Sequence, residues 1–327
     1  MSSVFGVSQG FDLFKVCSVP DDKIEKVESK HIYYKNIENI VNTSLVWIYK
    51  NRKKSFFLFM HTYEPHEPLK DPLNVFEKTK KEYLQNGFLE QMRSCYLANP
   101  KKKYKKENIY NWLCKERMLY DCEIKYSDHH IGKFFKELKK MGIYNKSLIV
   151  FTSDHGEEFG EHGELQHGKN LYQTSIAVPL IIKKPNQKKG ARENAFIAEG
   201  VDIMPTILEA CRIDMKNLTL SGQSLSSKQA TKIARSHLFS NKKKNFAAVF
   251  LADQKTIYNY DAPAESKMFN LSQDPLERQN ILPDKIRKFL KIKPDRVPQT
   301  IEALSFDEFP QDHQNIQEQL RTLGYIE

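Results

Sequence analysis

Cysteine is scarce, and its placement follows no ligand or disulfide pattern: five residues, an odd number, with no CxxC pair. That argues against a disulfide framework and a cysteine zinc site, leaving small buried apolar side chains as the ordinary role. Long apolar runs are missing too. No stretch approaches the roughly 18 apolar residues of a membrane-spanning helix, so none is expected. The first residues, MSSVFGVSQGFDLF, place no basic segment before a long apolar one, and no signal peptide is expected there. No internal repeat is evident.

What remains is ample for a folded core. With 327 residues, 40% hydrophobic and 11% aromatic, the chain is too apolar for disorder and long enough for a core plus a subdomain. A soluble globular protein is expected. The formal net charge of +10 is spread over short lysine runs at 53–54, 80–81, 101–103, 105–106 and 242–244. A basic surface can concentrate anionic substrates. These runs lack the interleaved aromatics and reading motifs of nucleic-acid binders, so no nucleic-acid partner is expected. They read first as a solvated face.

Periodicity gives an alternating α and β order. Residues 36–50 place Ile37, Ile40, Val41, Leu45 and Ile48 on one helical stripe. The short apolar run 55–60 has the character of a buried parallel strand. Residues 69–105 read as a lysine-rich insertion with one helix near 76–97. A long helix over 108–141 would turn Ile109, Leu113, Ile124, Ile131, Phe135 and Leu138 inward, with Gly142 closing it. Strands are expected at 147–152 and 178–183, and a helix near 201–211. Beyond about 234 come short β-like segments between polar turns, which suit a small antiparallel sheet. A closing helix is expected at 316–323. The soft boundary near 230 separates a core of residues 1–230 from a subdomain of residues 231–327.

The chemistry concentrates in residues 151–172, FTSDHGEEFGEHGELQHGKNLY. An apolar run ends in Thr152-Ser153 and then presents Asp154, His155 and Gly156. A carboxylate and an imidazole side by side at a strand end suit a divalent cation. Gly156 permits a sharp turn, and the ammonium of Lys169 suits a tetrahedral oxyanion such as sulfate or phosphate.

This segment resembles the sulfatases, within the alkaline-phosphatase-like superfamily of metal-dependent ester hydrolases. The resemblance extends to residues 56–68 (FFLFMHTYEPHEP), 120–132 (YDCEIKYSDHHIG), 178–182 (VPLII), 201–208 (VDIMPTIL), 268–281 (MFNLSQDPLERQNI) and 320–327 (LRTLGYIE). Gln9-Gly10-Phe11-Asp12 fits as well. It implies an α/β fold: a mainly parallel sheet of the alkaline-phosphatase type flanked by helices, without its N-terminal strands, plus a small C-terminal antiparallel sheet. It implies a sulfuric ester hydrolase acting on an anionic sulfated or phosphorylated ester. By the same resemblance Asp154 and His155 ligate one divalent metal ion. Ca²⁺ is the family's ion, and the imidazole makes Mn²⁺ plausible beside it or Mg²⁺.

His61 matches the family's histidine that contacts ester oxygens or protonates the leaving group, and Lys169 the lysine that stabilises transition-state charge. His66 and His167 are weaker candidates for substrate contact, and His167 competes for the role of Lys169. His162 and His167 as a second metal pair would lack a third ligand. Glu157, Glu158, Glu161 and Glu164 read as a solvated acidic loop.

One element of the resemblance is absent. The family's C/S-x-P-x-R nucleophile motif does not occur, and neither Cys17 in CSVPDD nor Cys114 in CKERM replaces it. A truncated or split chain carrying the second half of the active site is therefore expected, with a separately encoded N-terminal half as a candidate partner. The alternatives are a phosphonate or phosphate ester hydrolase or phosphotransferase of the same superfamily, and a non-catalytic sulfatase-like binding protein.

Overall fold

The computed structural model describes residues 9–15, 17, 37–66, 69–87, 90, 107–192, 197–226, 234–238 and 245–282. They fall into two compact units, one ending at Lys146 and one beginning at Ser147. The expected boundary near 230, the closing helix at 316–323 and, but for residue 90, the part of the lysine-rich insertion beyond residue 87 lie outside the described residues. No helix among the described residues is long and apolar enough to cross a membrane.

The first unit is helical. Helix α1 (Ile37–Asn51) buries Ile37, Val41, Ser44 and Ile48, one stripe at spacings of three and four. Its first amide donates to Glu64 Oε1 at 3.1 Å, so a carboxylate from a later loop satisfies one of the orphan donors of the helix start. Helix α2 (Phe76–Gln85) begins where Asp71 accepts the amides of Val75 and Phe76, each at 2.8 Å. It turns Thr79 and Tyr83 inward. Helix α3 (Glu107–Lys140) packs against both, burying Leu113, Cys114, Met118, Cys122 and Leu138. Gly142, at φ 69°, ends it in a paired closure: its amide donates to Lys139 O at 3.0 Å and that of Ile143 to Leu138 O at 3.2 Å. That geometry favours glycine because no Cβ opposes the left-handed turn.

Two expectations change here. Ile124 is exposed, and its neighbour Glu123 is buried instead, because the Glu123 carboxylate accepts the amide of Lys70 at 2.7 Å. The run 55–60 is extended but has no ladder partner among the described residues, with Phe57 and Phe59 exposed. An apolar run specifies strand character, but pairing requires a neighbour that the run cannot supply.

The second unit holds the sheets. Strand β1 (Ile149–Thr152) pairs antiparallel with β4 (Leu180–Lys183), Val150 opposite Ile182. Between them lie a small hairpin, β2 (Glu158–Phe159) with β3 (Leu165–Gln166), and the single turn α4 (Gln173–Ile176). Helix α5 (Ile203–Ala210) follows a turn whose buried Asp202 accepts the amides of Glu199 and Gln223 at 2.9 Å. The remaining strands, β5 (Ala234–Leu238), β6 (Phe246–Leu251), β7 (Gln254–Asn259) and β8 (Lys267–Asn270), form one antiparallel meander.

The α/β class and the small antiparallel sheet hold. Parallel pairing does not occur among the described residues: every ladder there is antiparallel. Strand–helix alternation gives element order, while strand direction depends on which neighbours pair. The core that positions the site joins Ala234, Ala248, Phe250, Ile257 and Phe269 of the meander to Leu171 and Tyr172. Phe269 alone, 1% exposed, contributes about 1.5–3 kcal/mol of burial. The meander thus anchors the end of the segment that carries the candidate site.

Candidate functional site

Strand β1 leaves its apolar run at Thr152, and the chain turns at once. Asp154 Oδ1 accepts the amide of His155 at 3.0 Å and the Ser153 hydroxyl donates to His155 O at 2.8 Å, so short polar side chains shape the turn. Gly156 then passes close to α4. Its amide donates to Ser175 O at 2.8 Å, and a Cβ there would lie 2.1 Å from Thr174 O. Glycine is required by contact at this position.

The turn presents two donors together. His155 Nδ1 lies 2.8 Å from Gly156 O, and because a carbonyl only accepts, Nδ1 carries the proton. That leaves Nε2 with its lone pair free, 3.8 Å from Asp154 Oδ2. Fixing one imidazole nitrogen on a backbone carbonyl is how proteins orient a metal-ligating histidine. The Asp154 side chain is 55% exposed. These two donors fit a divalent cation as part of a site. Among the described residues no cluster of three or more histidine, cysteine or acidic side chains completes one.

His167 joins them. Its ring stacks on that of His155 with centroids 3.8 Å apart, and its Nδ1 lies 3.2 Å from Glu157 Oε2. The carboxylate orients the ring, and Glu157 Oε1 is buried without a hydrogen-bond partner. Lys169 does not join them. Its ammonium donates to Leu165 O at 3.0 Å and Gln166 Oε1 at 3.3 Å, both in its own hairpin. His61 and His66 belong to the first unit, where both rings meet Tyr63 edge-on at 5.3 and 6.2 Å. Their loop is held by Glu64, which accepts from Thr62 and from the start of α1.

The acidic cluster is not a solvated loop. Glu158 is 1% exposed and organises the hairpin: Oε1 accepts the amides of His162 at 2.7 Å and Glu164 at 3.2 Å, and Oε2 accepts from Asn170. Burial pushes this carboxyl up to about 7, against those hydrogen bonds. His162 is likewise internal and stacks on Tyr172 with centroids 3.7 Å apart. Its Nε2 donates to Leu276 O at 3.0 Å, and burial lowers it to about 4. His162 and His167 therefore have separate surroundings and share no site. Residue types do not reveal this division, which burial within the hairpin decides.

Known proteins give a consistent picture. The family described as Sulfatase matches residues 2–213, and that described as N-sulphoglucosamine sulphohydrolase, C-terminal, matches residues 160–295. An arylsulfatase of Clostridium perfringens is 27% identical over 260 residues, 74% of this chain and 53% of its own length. The multifunctional alkaline phosphatase superfamily protein PehA of Trinickia caryophylli is 44% identical over 85 residues, 25% of this chain and 16% of its own. The chain thus spans about half or less of these relatives. A solved Bacteroides thetaiotaomicron structure, from work on the metabolism of multiple glycosaminoglycans, superposes with a TM-score of 0.59. It covers 77% of this chain and 55% of its own at 17% identity, a likeness of fold.

Proposed function

Because this chain belongs to the sulfatase family, we propose that residues 154–167 form the cation- and oxyanion-handling part of a sulfate-ester hydrolase. The observation that carries the reading is the meeting of Asp154, His155 and His167 at the tip of β1. Asp154 Oδ2 and His155 Nε2 would hold one divalent cation, Ca²⁺ by family, with Mn²⁺ or Mg²⁺ as alternatives. Such an ion polarises ester oxygens and stabilises charge that develops on them.

The chain's own side chains supply the rest. With Nδ1 donating to Glu157, His167 in its doubly protonated form would donate from Nε2 to a non-bridging oxygen of the ester. Lys169 adds positive charge at longer range. His61 is the candidate to protonate the departing alkoxide, for which an imidazole titrating near neutrality is suited. The substrate is an anionic ester, sulfated first and phosphorylated second. The kinship with PehA favours keeping the phosphorus reading, since the same donors serve either tetrahedral oxyanion.

Calorimetric titration with Mn²⁺, Mg²⁺ and Ca²⁺, followed by assays with 4-nitrophenyl sulfate and phenylphosphonate, tests this. Saturable binding of one ion, weakened in Asp154→Asn and His155→Ala, is expected. Cation binding that ignores both substitutions would overturn the reading.

A further inference from the structure

The stretch 268–281, whose resemblance to the family's C-terminal part was noted from sequence, supplies Glu277 to a charged pair with Lys255 of β7 that has no role in the site as described. Lys255 Nζ and Glu277 Oε1 lie 2.6 Å apart, and both side chains are fully buried. Glu277 adopts the left-handed backbone at φ 53°, which a residue with a Cβ keeps only when its surroundings hold it there. A buried ion pair is poor evidence for stability, because desolvating both charges offsets their attraction. Its second oxygen shows what else it does. Glu277 Oε2 accepts the amide of Gln173, the first residue of α4, at 2.5 Å.

We propose that Glu277 is a positioning residue whose Oε2, by taking the amide of Gln173, fixes the end of the site hairpin and thereby the place of His167 against His155. Its significance for catalysis rests on the function proposed above; the contact itself does not. The chain of contacts is short. Gln173 follows Tyr172, whose ring stacks on His162 and whose hydroxyl accepts from Lys267 at 2.6 Å. The Tyr172 amide donates to Asn170 Oδ1 at 3.2 Å, and Asn170 in turn donates to Glu158, which holds the turn of the hairpin. His167 lies between these fixed points. The other contacts of 268–281 hold the clasp itself: Asp274 accepts the amide of Gln279 at 2.8 Å and Asn280 that of Met268 at 3.0 Å.

Two double variants separate acceptor from charge. Lys255→Met with Glu277→Gln removes the ion pair but keeps an oxygen for Gln173. Lys255→Met with Glu277→Leu removes that oxygen as well. A third variant, Gln173→Pro, deletes the donor and with it the side-chain oxygen that Lys255 reaches at 3.4 Å: proline is accepted at a first helical position, and Tyr172, at φ −72° and ψ 161°, already has the extended backbone that precedes proline. The readouts are amide hydrogen exchange across 157–175 and the ring-proton NMR chemical shifts of His155 and His167 at one fixed pH, neither of which needs a bound cation.

The Glu277→Gln double should behave as wild type. The Glu277→Leu double and Gln173→Pro should exchange about tenfold faster or more across the hairpin, with displaced ring-proton shifts as the stacking loosens. Wild-type exchange and ring shifts in Gln173→Pro would overturn the proposal, as would equal loss in both double variants. Failure of the cation reading would show instead as absent cation binding by wild type, with these three results unchanged.

Discussion

Two carboxylate–imidazole pairs occupy one short stretch, and they live in opposite surroundings. At the tip of β1 the Asp154 side chain is 55% exposed and that of His155 26%. A few residues on, Glu158 and His162, with the same chemical groups 3.9 Å apart, are 0% and 7% exposed. The outer pair lies toward solvent. The carboxylate of the inner pair takes two backbone amides and the Asn170 side chain, its imidazole meets a carbonyl, and together they set the shape of the hairpin. Composition cannot separate the two, because each is an acid near a histidine. Burial decides it.

The inner pair also has a pH consequence with a definite sign. Glu158, raised by burial from 4.5 to about 7, would by itself cost stability as pH rises through that interval. His162, lowered by burial from 6.5 to about 4, would by itself cost stability as pH falls from 6.5. Between 4.5 and 6.5 the unfolded chain holds one proton, on the histidine, and the folded chain holds one, on the glutamate. The slopes cancel, and these two groups leave stability flat across that window.

The most damaging way to break the contrast is Gly156→Ala. The added Cβ meets the backbone oxygen of Thr174, which has no flexible end to move aside. A loss of about 3 kcal/mol or more is expected in chemical denaturation, together with the cation site. Next, Glu158→Gln should unbalance the inner pair and leave the acid sensitivity of His162 unopposed. Denaturation at several pH values should show the variant's stability rising by about 3 kcal/mol more than wild type's from pH 4.5 to 6.5.

Smaller changes probe the outer pair. Asp154→Asn should leave stability within about 0.5 kcal/mol, as an exposed site does, while weakening cation binding about 10–100-fold in calorimetry. The finest comparison sets His167→Ala against Lys169→Met in a sulfate-binding titration. Loss of about tenfold is expected at His167, which touches His155, and about threefold or less at Lys169, whose ammonium is engaged within its own hairpin. The reverse order would restore Lys169 as the principal oxyanion contact.

Much of this was legible in the residues. The stripe of α1, the length of α3 with its glycine closure, the tip position of Asp154 and His155, and the late antiparallel meander all follow from short-range patterns. Less could be read where burial and pairing decide. Ile124 looked like core and Glu123 like surface, and one hydrogen bond to Lys70 reversed them. Lys169 looked nearer to the chemistry than His167 because a lysine after glycine matches the family spacing. Its ammonium is engaged within its own hairpin, while His167 stacks on His155.

Sequence by itself determined the family, the order of helices and strands, and the residue types gathered after β1, because those depend on periodicity and on neighbours along the chain. Tertiary structure alone decided which acids face inward, which histidine meets His155, and that Glu277, more than a hundred residues later, grips the start of α4. Desolvation and long-range hydrogen bonds act between residues far apart in the chain, and no local pattern encodes them.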